Sequence, residues 1–281
     1  MMTGMAAAST PGHPDHRAHL TGSHAPTPPI HRYPPSPSLM GLIRSFWIPE
    51  WDLPAGVTQV QRVLQYPVCL IVVSNEYARF YGVTTGLSQV ELAGAGWAAG
   101  VMLQPAAGWM IWNQPVSTLT DRHVPLESVP TFDGAQLTDQ IREIMEHRSA
   151  GTDPHLEVTA TYQRTLRHLA PIDEEGSTVN TLVERVESDR NLVRVEQLAE
   201  AATMSERALQ RLTRHRLGLT PKWLIQRRRL HDAVEHLKSG DLSLANLAHT
   251  LGYTDQAHFT RDFTRATGTT PGAYLAAQPG R

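Results

Sequence analysis

The sequence predicts an α+β chain of two domains: an N-terminal β-barrel with flanking helices, then an all-α domain built as a double helix-turn-helix. Three observations predict it. The chain has 281 residues, and roughly 100–200 residues per domain gives about two. From Thr58 onward, short extended runs (VQRVLQ, PVCLIVVS, YARFYGV) are punctuated by Gly, Pro and Asn, which marks strands and turns. From Asp133 the apolar spacing changes to the helical period, and beyond residue 178 helix signals follow one another.

Residues 1–38 alternate Pro, His, Ser, Thr and Gly. Such a segment buries too little apolar surface to offset its ordering entropy, and it is read as a disordered tail. It has no continuous apolar run of the kind a signal peptide carries. His13, His16, His19 and His24 in it offer only adventitious metal ligands. Residues 39–170 are assigned to the β-rich domain. A long uncharged stretch lies between Glu91 and Asp121, but Gln104 and Pro105 sit near its centre and glycines recur through it. It is read as buried strands of a small barrel and not as a membrane span. In residues 133–147, Leu137, Ile141 and Met145 stand four apart and make a helical stripe; a second helix is expected from about 156 to 169. These two helices are candidates for a dimer contact or for packing on their own barrel. The sequence PIDEEGST, residues 171–178, is read as a linker.

The last part, residues 179–277, holds two copies of one design. Val195–Ala202 is a short helix, and Ser205 stands as N-cap before ERALQRLTRHRL. Ser243–Leu251 is again a short helix, ended at Gly252, and Asp255 caps QAHFTRDFTRAT. Short helix, tight turn and capped basic helix are the parts of a helix-turn-helix. A helix over residues 220–238 connects the copies, and at 1.5 Å per residue it spans about 27 Å.

On these residues the region resembles the AraC/XylS-type DNA-binding domain. LAHTLGYTDQAHFTRDFTRATGTTPGAY, residues 247–274, stands close to the pattern of the family's second unit. The first unit matches through Leu198, Ala199, Ser205, Leu209, Arg211, Gly218 and Pro221. It departs at Thr203, where the family commonly has a turn glycine; a threonine at positive φ is strained, so this turn is expected to be re-shaped. Residues 46–129, with FWIPEWDLPAG, VLQYPVCLIVV and HVPLESV, look like the cupin-like sensor domains that precede this domain in many regulators.

The resemblance implies a cytoplasmic, sequence-specific regulator that binds double-stranded DNA. It further implies a homodimer, a small-molecule effector bound or dimer contact made by the N-terminal domain, and contact with RNA polymerase in an activator. It implies no cofactor. Base-contact candidates are Arg207, Gln210 and Arg211 in the first recognition helix, and Gln256, His258 and Arg261 in the second. Arg pairs with guanine O6 and N7, and Gln with adenine N6 and N7. Ser205, Arg214, Thr260 and Arg265 are candidates for phosphate contact, which positions without specifying. Arg211 has an alternative, an internal ion pair that orients its helix. Of the run Arg227, Arg228 and Arg229, at most two can face DNA together, because consecutive residues fan around a helix.

In the first half, Trp97, Trp109, Trp112 and Tyr81 are candidates for an apolar effector pocket, with ordinary core packing as the alternative. The only histidine between residues 40 and 130 is His123, and no His-x-His pair is present. That argues against the rival reading, a cupin-type metalloenzyme with an appended helical domain. No catalytic residue and no metal ligand is assigned. A purely protein-binding helical module is the third reading. Cys69, the single cysteine, sits in an apolar run and is expected to be an inert buried thiol. The net charge of −2 hides a cancellation. Residues 178–281 hold 15 Lys plus Arg against 11 Asp plus Glu, and residues 1–177 hold 10 against 16. A mildly basic half is joined to an acidic one.

Overall fold

The computed structural model describes Leu20 and residues 28–147, 151–240 and 242–277. His13, His16, His19 and His24 lie outside the described residues. The first half is β-rich. Strands β1 (Ile30–Tyr33), β2 (Ile43–Asp52), β4 (Leu70–Ser74), β5 (Ala78–Tyr81), β7 (Ala95–Leu103) and β8 (His123–Pro125) form one sheet in the order β1-β2-β7-β4-β5-β8. All its pairs are antiparallel. Strands β3 (Thr58–Val63) and β6 (Ser88–Ala93) pair separately as a two-stranded sheet.

The long uncharged stretch, read as several buried strands, holds one buried strand followed by a helix: β7 lies between β2 and β4 and is buried from Trp97 to Leu103. Its small residues admit large neighbours. A Cβ on Gly100 would stand 2.0 Å from Cε2 of Trp47, so only glycine lets that indole lie on the strand. The chain then turns into α1 (Ala107–Trp112), which ends at Asn113 in the left-handed region, φ 54°. Among the described residues no helix is long and apolar enough to cross a membrane.

Helices α2 (Gly134–Glu146) and α3 (Pro154–Leu166) follow, each capped by the aspartate before it. Leu137, Ile141 and Met145 are buried as one stripe in the core that the sheet shares. Tyr162 of α3 is 1 % exposed and donates its hydroxyl proton to the carbonyl of Ala99 at 2.7 Å. Both helices thus bury a face on their own sheet.

Three expectations need correction. The strand pairing describes two sheets and not a closed barrel: closure requires every strand to pair on both sides, and β1 and β8 stand at the two ends of the larger sheet. Part of the stretch read as tail is a strand, since Ile30–Tyr33 pairs along the free edge of β2. Part of the stretch read as linker is helix: α4 (Glu174–Ser188) starts there, with Asp173 accepting the Gly176 N–H at 2.8 Å and two glutamates in the first turn. An aspartate N-cap with acidic residues behind it is a helix start signal, stronger here than the glycine.

The second half is helical: α5 (Val195–Ala201), α6 (Glu206–Leu217), α7 (Pro221–Ser239), α8 (Leu244–Thr250), α9 (Gln256–Thr267) and α10 (Pro271–Ala276). Its apolar residues divide between two cores. Leu198, Leu209, Leu212, Leu224 and Ile225 join the core that contains the sheet and α1–α4. Leu230, Val234, Leu247, Phe259, Phe263 and Tyr274 form a second core, into which Leu64 reaches from beyond the end of β3.

Candidate nucleic-acid interface

In the first unit, α5 ends on Ala202 and the chain turns at Thr203, φ 53°. The N–H groups of Thr203 and Met204 return to the carbonyls of Glu200 and Ala199 at 3.0 and 2.9 Å. The turn therefore keeps the left-handed conformation that glycine would supply, and the threonine bears the strain; the expected re-shaping does not occur. Ser205 then accepts the Ala208 N–H at 3.2 Å and starts α6. In the second unit Gly252 holds the same place, φ 75°, with Gly252 and Tyr253 bonded back to His249 and Ala248, both at 2.9 Å. Asp255 accepts the His258 N–H at 2.7 Å and starts α9.

The two capped helices present their polar residues outward. On α6, Leu209, Leu212 and Leu217 are buried, while Arg207, Gln210, Arg211 and Arg214 are all exposed, as is Ser205. Residues three and four apart are neighbours on a helix, so these four make one stripe. Arg211 makes no ion pair among the described residues. On α9, Phe259 and Phe263 fill the second core, and Gln256, Arg261 and Arg265 are exposed. His258 and Thr260 are half-buried. His258 Nε2 and Arg265 Nη1 both approach the buried Asp262 carboxylate, at 3.6 and 3.5 Å. Gln226 of α7 donates to the same carboxylate at 3.4 Å. Two of the candidate contact residues are thereby tethered to the body of their own helix.

The arginine run on α7 requires correction. Arg227 and Arg228 are 3 % and 7 % exposed, and Arg229 is half-buried. Arg227 donates to the carbonyl of Thr85 and lies over Trp223 at 4.5 Å. Arg228 donates to Asp232 at 3.1 Å and to the Leu192 carbonyl at 2.8 Å. Arg229 lies 3.8 Å from the Tyr253 ring centroid. None of the three is on an open face. The run packs the connecting helix against both halves of the molecule.

Sequence reasoning passed over a further set that fixes α6 to the β-rich half. Arg216, 3 % exposed, donates to Asp173 and Glu175, both at 2.5 Å, and lies 3.9 Å from the Trp109 ring centroid. Gly218, φ 70°, ends α6 where a Cβ would stand 2.6 Å from Thr120 Oγ1; that hydroxyl donates to the Gly218 carbonyl at 3.0 Å. One signal was available. Arg216 follows Leu209 by seven residues and Leu212 by four, so it falls on the apolar stripe. A charge there needs a buried partner.

The aromatic pocket candidates are engaged separately. Trp109 lies under Arg216, and Trp112 donates to Thr118 at 2.9 Å and packs by Phe80. Tyr81 accepts from Arg79 at 3.4 Å. Trp97 lines an open cleft with Glu50, Trp51 and Asp52. Burial pushes the Cys69 thiol up to about 12, as an inert buried cysteine requires. Among the described residues, no three His, Cys, Asp or Glu side chains come together as a metal site.

Comparison with known proteins agrees with this geometry. Residues 198–277 match the family described as "Helix-turn-helix domain", and residues 31–125 match a domain of unknown function (DUF6597). The chain is 32 % identical over 74 residues to the transcriptional activator RhaS of Pectobacterium carotovorum, which is 26 % of each chain. The chain thus spans about a quarter of the length of that relative. It is 33 % identical over 101 residues to the transcriptional activator NphR of a Rhodococcus species, 36 % of this chain and 30 % of that one. It is 30 % identical over 82 residues to the probable transcription factor PqrA of Proteus vulgaris, 29 % of this chain and 67 % of that one. The duplicated unit, its caps and these relatives place the chain in the AraC/XylS family of DNA-binding transcriptional regulators.

Proposed function

We propose that this chain is a sequence-specific regulator of transcription that reads double-stranded DNA with α6 and α9 and works as a homodimer. In this reading the β-rich half, ending near residue 170, is a cupin-like sensor that answers a small-molecule effector, and residues 179–277 are the DNA reader. As an activator, like the relatives RhaS and NphR, it would also touch RNA polymerase. The observation that carries the proposal is the pair of capped helices with outward polar stripes, joined by the 19-residue α7. At 1.5 Å per residue α7 is about 28 Å long, close to the ~34 Å that separates successive major-groove faces.

Arg207, Gln210, Arg211, Gln256, His258 and Arg261 are assigned to bases; Ser205, Arg214, Thr260 and Arg265 are assigned to phosphates. The reading half is only mildly basic, so specific contacts and dimerisation must add much of the affinity beyond attraction to phosphate. An effector would act by binding the DNA-competent and incompetent arrangements unequally.

Retention of genomic fragments that include the gene's own promoter tests the proposal. Binding is expected to be sequence-selective and to weaken steeply with salt. Arg211→Ala and Arg261→Ala are each expected to cost about 1–3 kcal/mol and to relax selection at one position. Arg214→Ala is expected to weaken all sequences alike and to lower the salt slope by about 1. Equal affinity for random DNA would sink the sequence-specific reading.

A further inference from the structure

Strands β3 and β6 form a ribbon of their own, with an unbroken register from Thr58 opposite Ala93 to Val63 opposite Ser88. Both strands are therefore edges. A two-stranded ribbon is marginal alone, and three or more strands make a stable sheet. The edge of β3 is partly occupied, because the Leu20 N–H donates to the Arg62 carbonyl at 3.0 Å. The edge of β6 is capped at one end, where the Trp51 indole N–H donates to the Ala93 carbonyl at 3.3 Å. These two bonds fix the phase of the ribbon. In an antiparallel pair, residues whose backbone groups turn away from the partner strand lie opposite one another and alternate along it. Arg62 stands opposite Gln89 and Ala93 opposite Thr58, so Gln89, Glu91 and Ala93 all turn their N–H and C=O groups outward from β6.

Between the Trp51 indole and Leu87, which packs into the second core, no strand lies beside this edge among the described residues. Exposed edges are ordinarily blunted by lysine, proline or a bulge. The sequence of β6, SQVELA, has neither residue, and its register shows no shift. Gln89, Val90 and Glu91 are exposed. Six large apolar side chains are exposed among the described residues, and three of them, Val57, Val60 and Val90, stand on or beside this ribbon.

We propose that the β6 edge joins a second copy of this chain, β6 against β6 antiparallel about a two-fold axis at Val90, so that two ribbons become one four-stranded sheet. The inference rests on the homodimer reading above and names its surface. Only outward-turned residues can exchange hydrogen bonds across such an axis. Centred on Glu91, the pairing would set two carboxylates directly opposite, which is destabilising. Centred on Gln89 or Ser88, it would have to pair Leu87, whose side chain is committed to the second core. Centred on Leu92, it would need the Ala93 carbonyl, which Trp51 holds. Centred on Val90, each Gln89 pairs with the partner's Glu91, and four backbone hydrogen bonds form with no like charges opposed. The two Val90 side chains then meet as a non-hydrogen-bonded pair, Cα atoms about 4.5 Å apart. Arg62, opposite Gln89 in its own ribbon, falls in the same row as the partner's Glu91, so opposite charges share the exposed face.

Crosslinking and sedimentation of the full chain test this. Cys69 is 2 % exposed and its thiol is pushed up to about 12, so a cysteine placed on the ribbon is the reactive one. Val90→Cys is expected to give a disulfide-linked dimer under oxidised glutathione, because Cα atoms at that spacing lie within disulfide reach. Val60→Cys is as exposed, 47 % against 42 %. It would stand three strand spacings from its copy, about 14 Å, and is expected to crosslink at least about tenfold more slowly. Gln89→Pro removes an outward N–H and leaves the bonds between β3 and β6 intact. It is expected to raise the dissociation constant of the dimer about tenfold or more. Equal crosslinking of the two cysteines, or an unchanged dimer in folded Gln89→Pro, overturns the surface and leaves the homodimer reading standing. A parent chain that sediments as a monomer at every concentration overturns both. Should Gln89→Pro fail to fold, the comparison of Val90→Cys with Val60→Cys decides.

Discussion

Arg216 shows how one side chain joins the halves. Its guanidinium bonds Asp173 and Glu175 on one side and covers Trp109 on the other. Burial alone would raise the Asp173 carboxyl, but the bond from Arg216, the Gly176 N–H and the Arg216 charge outweigh it and hold the group below its ordinary 3.8. A carboxyl depressed in the folded state adds stability above its unfolded pKa and loses it as pH falls through the folded value. Asp173→Asn is therefore expected to be less stable than the parent chain at pH 7, and the gap is expected to close below about pH 3.8. Denaturant melts at neutral and acid pH check this, and a gap independent of pH would remove Asp173 from the latch. The exposed stripe Arg207, Gln210, Arg211 and Arg214 was legible in the sequence, because helical period and local capping decide which way those side chains point. Arg216 and Arg227–Arg229 were not. Arg216 and Arg227 reach Trp109 and Thr85 in the other half of the chain, while Arg228 reaches Leu192 and Arg229 lies over Tyr253, and no local pattern shows what a distant segment will supply.

At the scale of the element, the two helix-turn-helix units differ in their turns. Thr203 holds a left-handed backbone that costs a β-branched residue about 1–2 kcal/mol. Thr203→Gly relieves that strain but frees the unfolded chain, which offsets roughly 0.5–1 kcal/mol. A net gain of up to about 1 kcal/mol is expected, read as a higher denaturation midpoint; a loss would show that the threonine is not strained. The caps were legible here because serine and aspartate bond backbone groups only three residues away. The turn's response to the missing glycine was not. Backbone hydrogen bonds from Thr203 and Met204, together with the buried Leu198 and Leu209 on either side, hold the conformation against the side chain's preference.

For the whole molecule, the line between cores does not follow the division into a β-rich and a helical half. Leu198, Leu209 and Ile225 pack with the sheet-bearing half, while Leu230 and everything beyond it packs elsewhere. Hydrogen exchange of the full chain is expected to show two protection classes that change within α7, between Ile225 and Leu230, and α6 is expected to open together with the sheet. Exchange of α5–α10 as one unit, distinct from the sheet, would contradict this. Sequence could place many of the strands and helices by their own period, though not β1, α1 or the start of α4. It could not show that α5 and α6 share a core with the sheet, because an apolar stripe marks a buried face without saying what buries it.

The unequal turns carry one more consequence. Residues 202–205 separate α5 from α6, but residues 251–255 separate α8 from α9, one residue more. Helices α6 and α9 therefore follow turns of unequal length, and their outward side chains differ as well. On the proposed reading, a single subunit recognises two dissimilar words in a fixed order. On that reading the target has a head and a tail, and inverting it beside a promoter is expected to change the response.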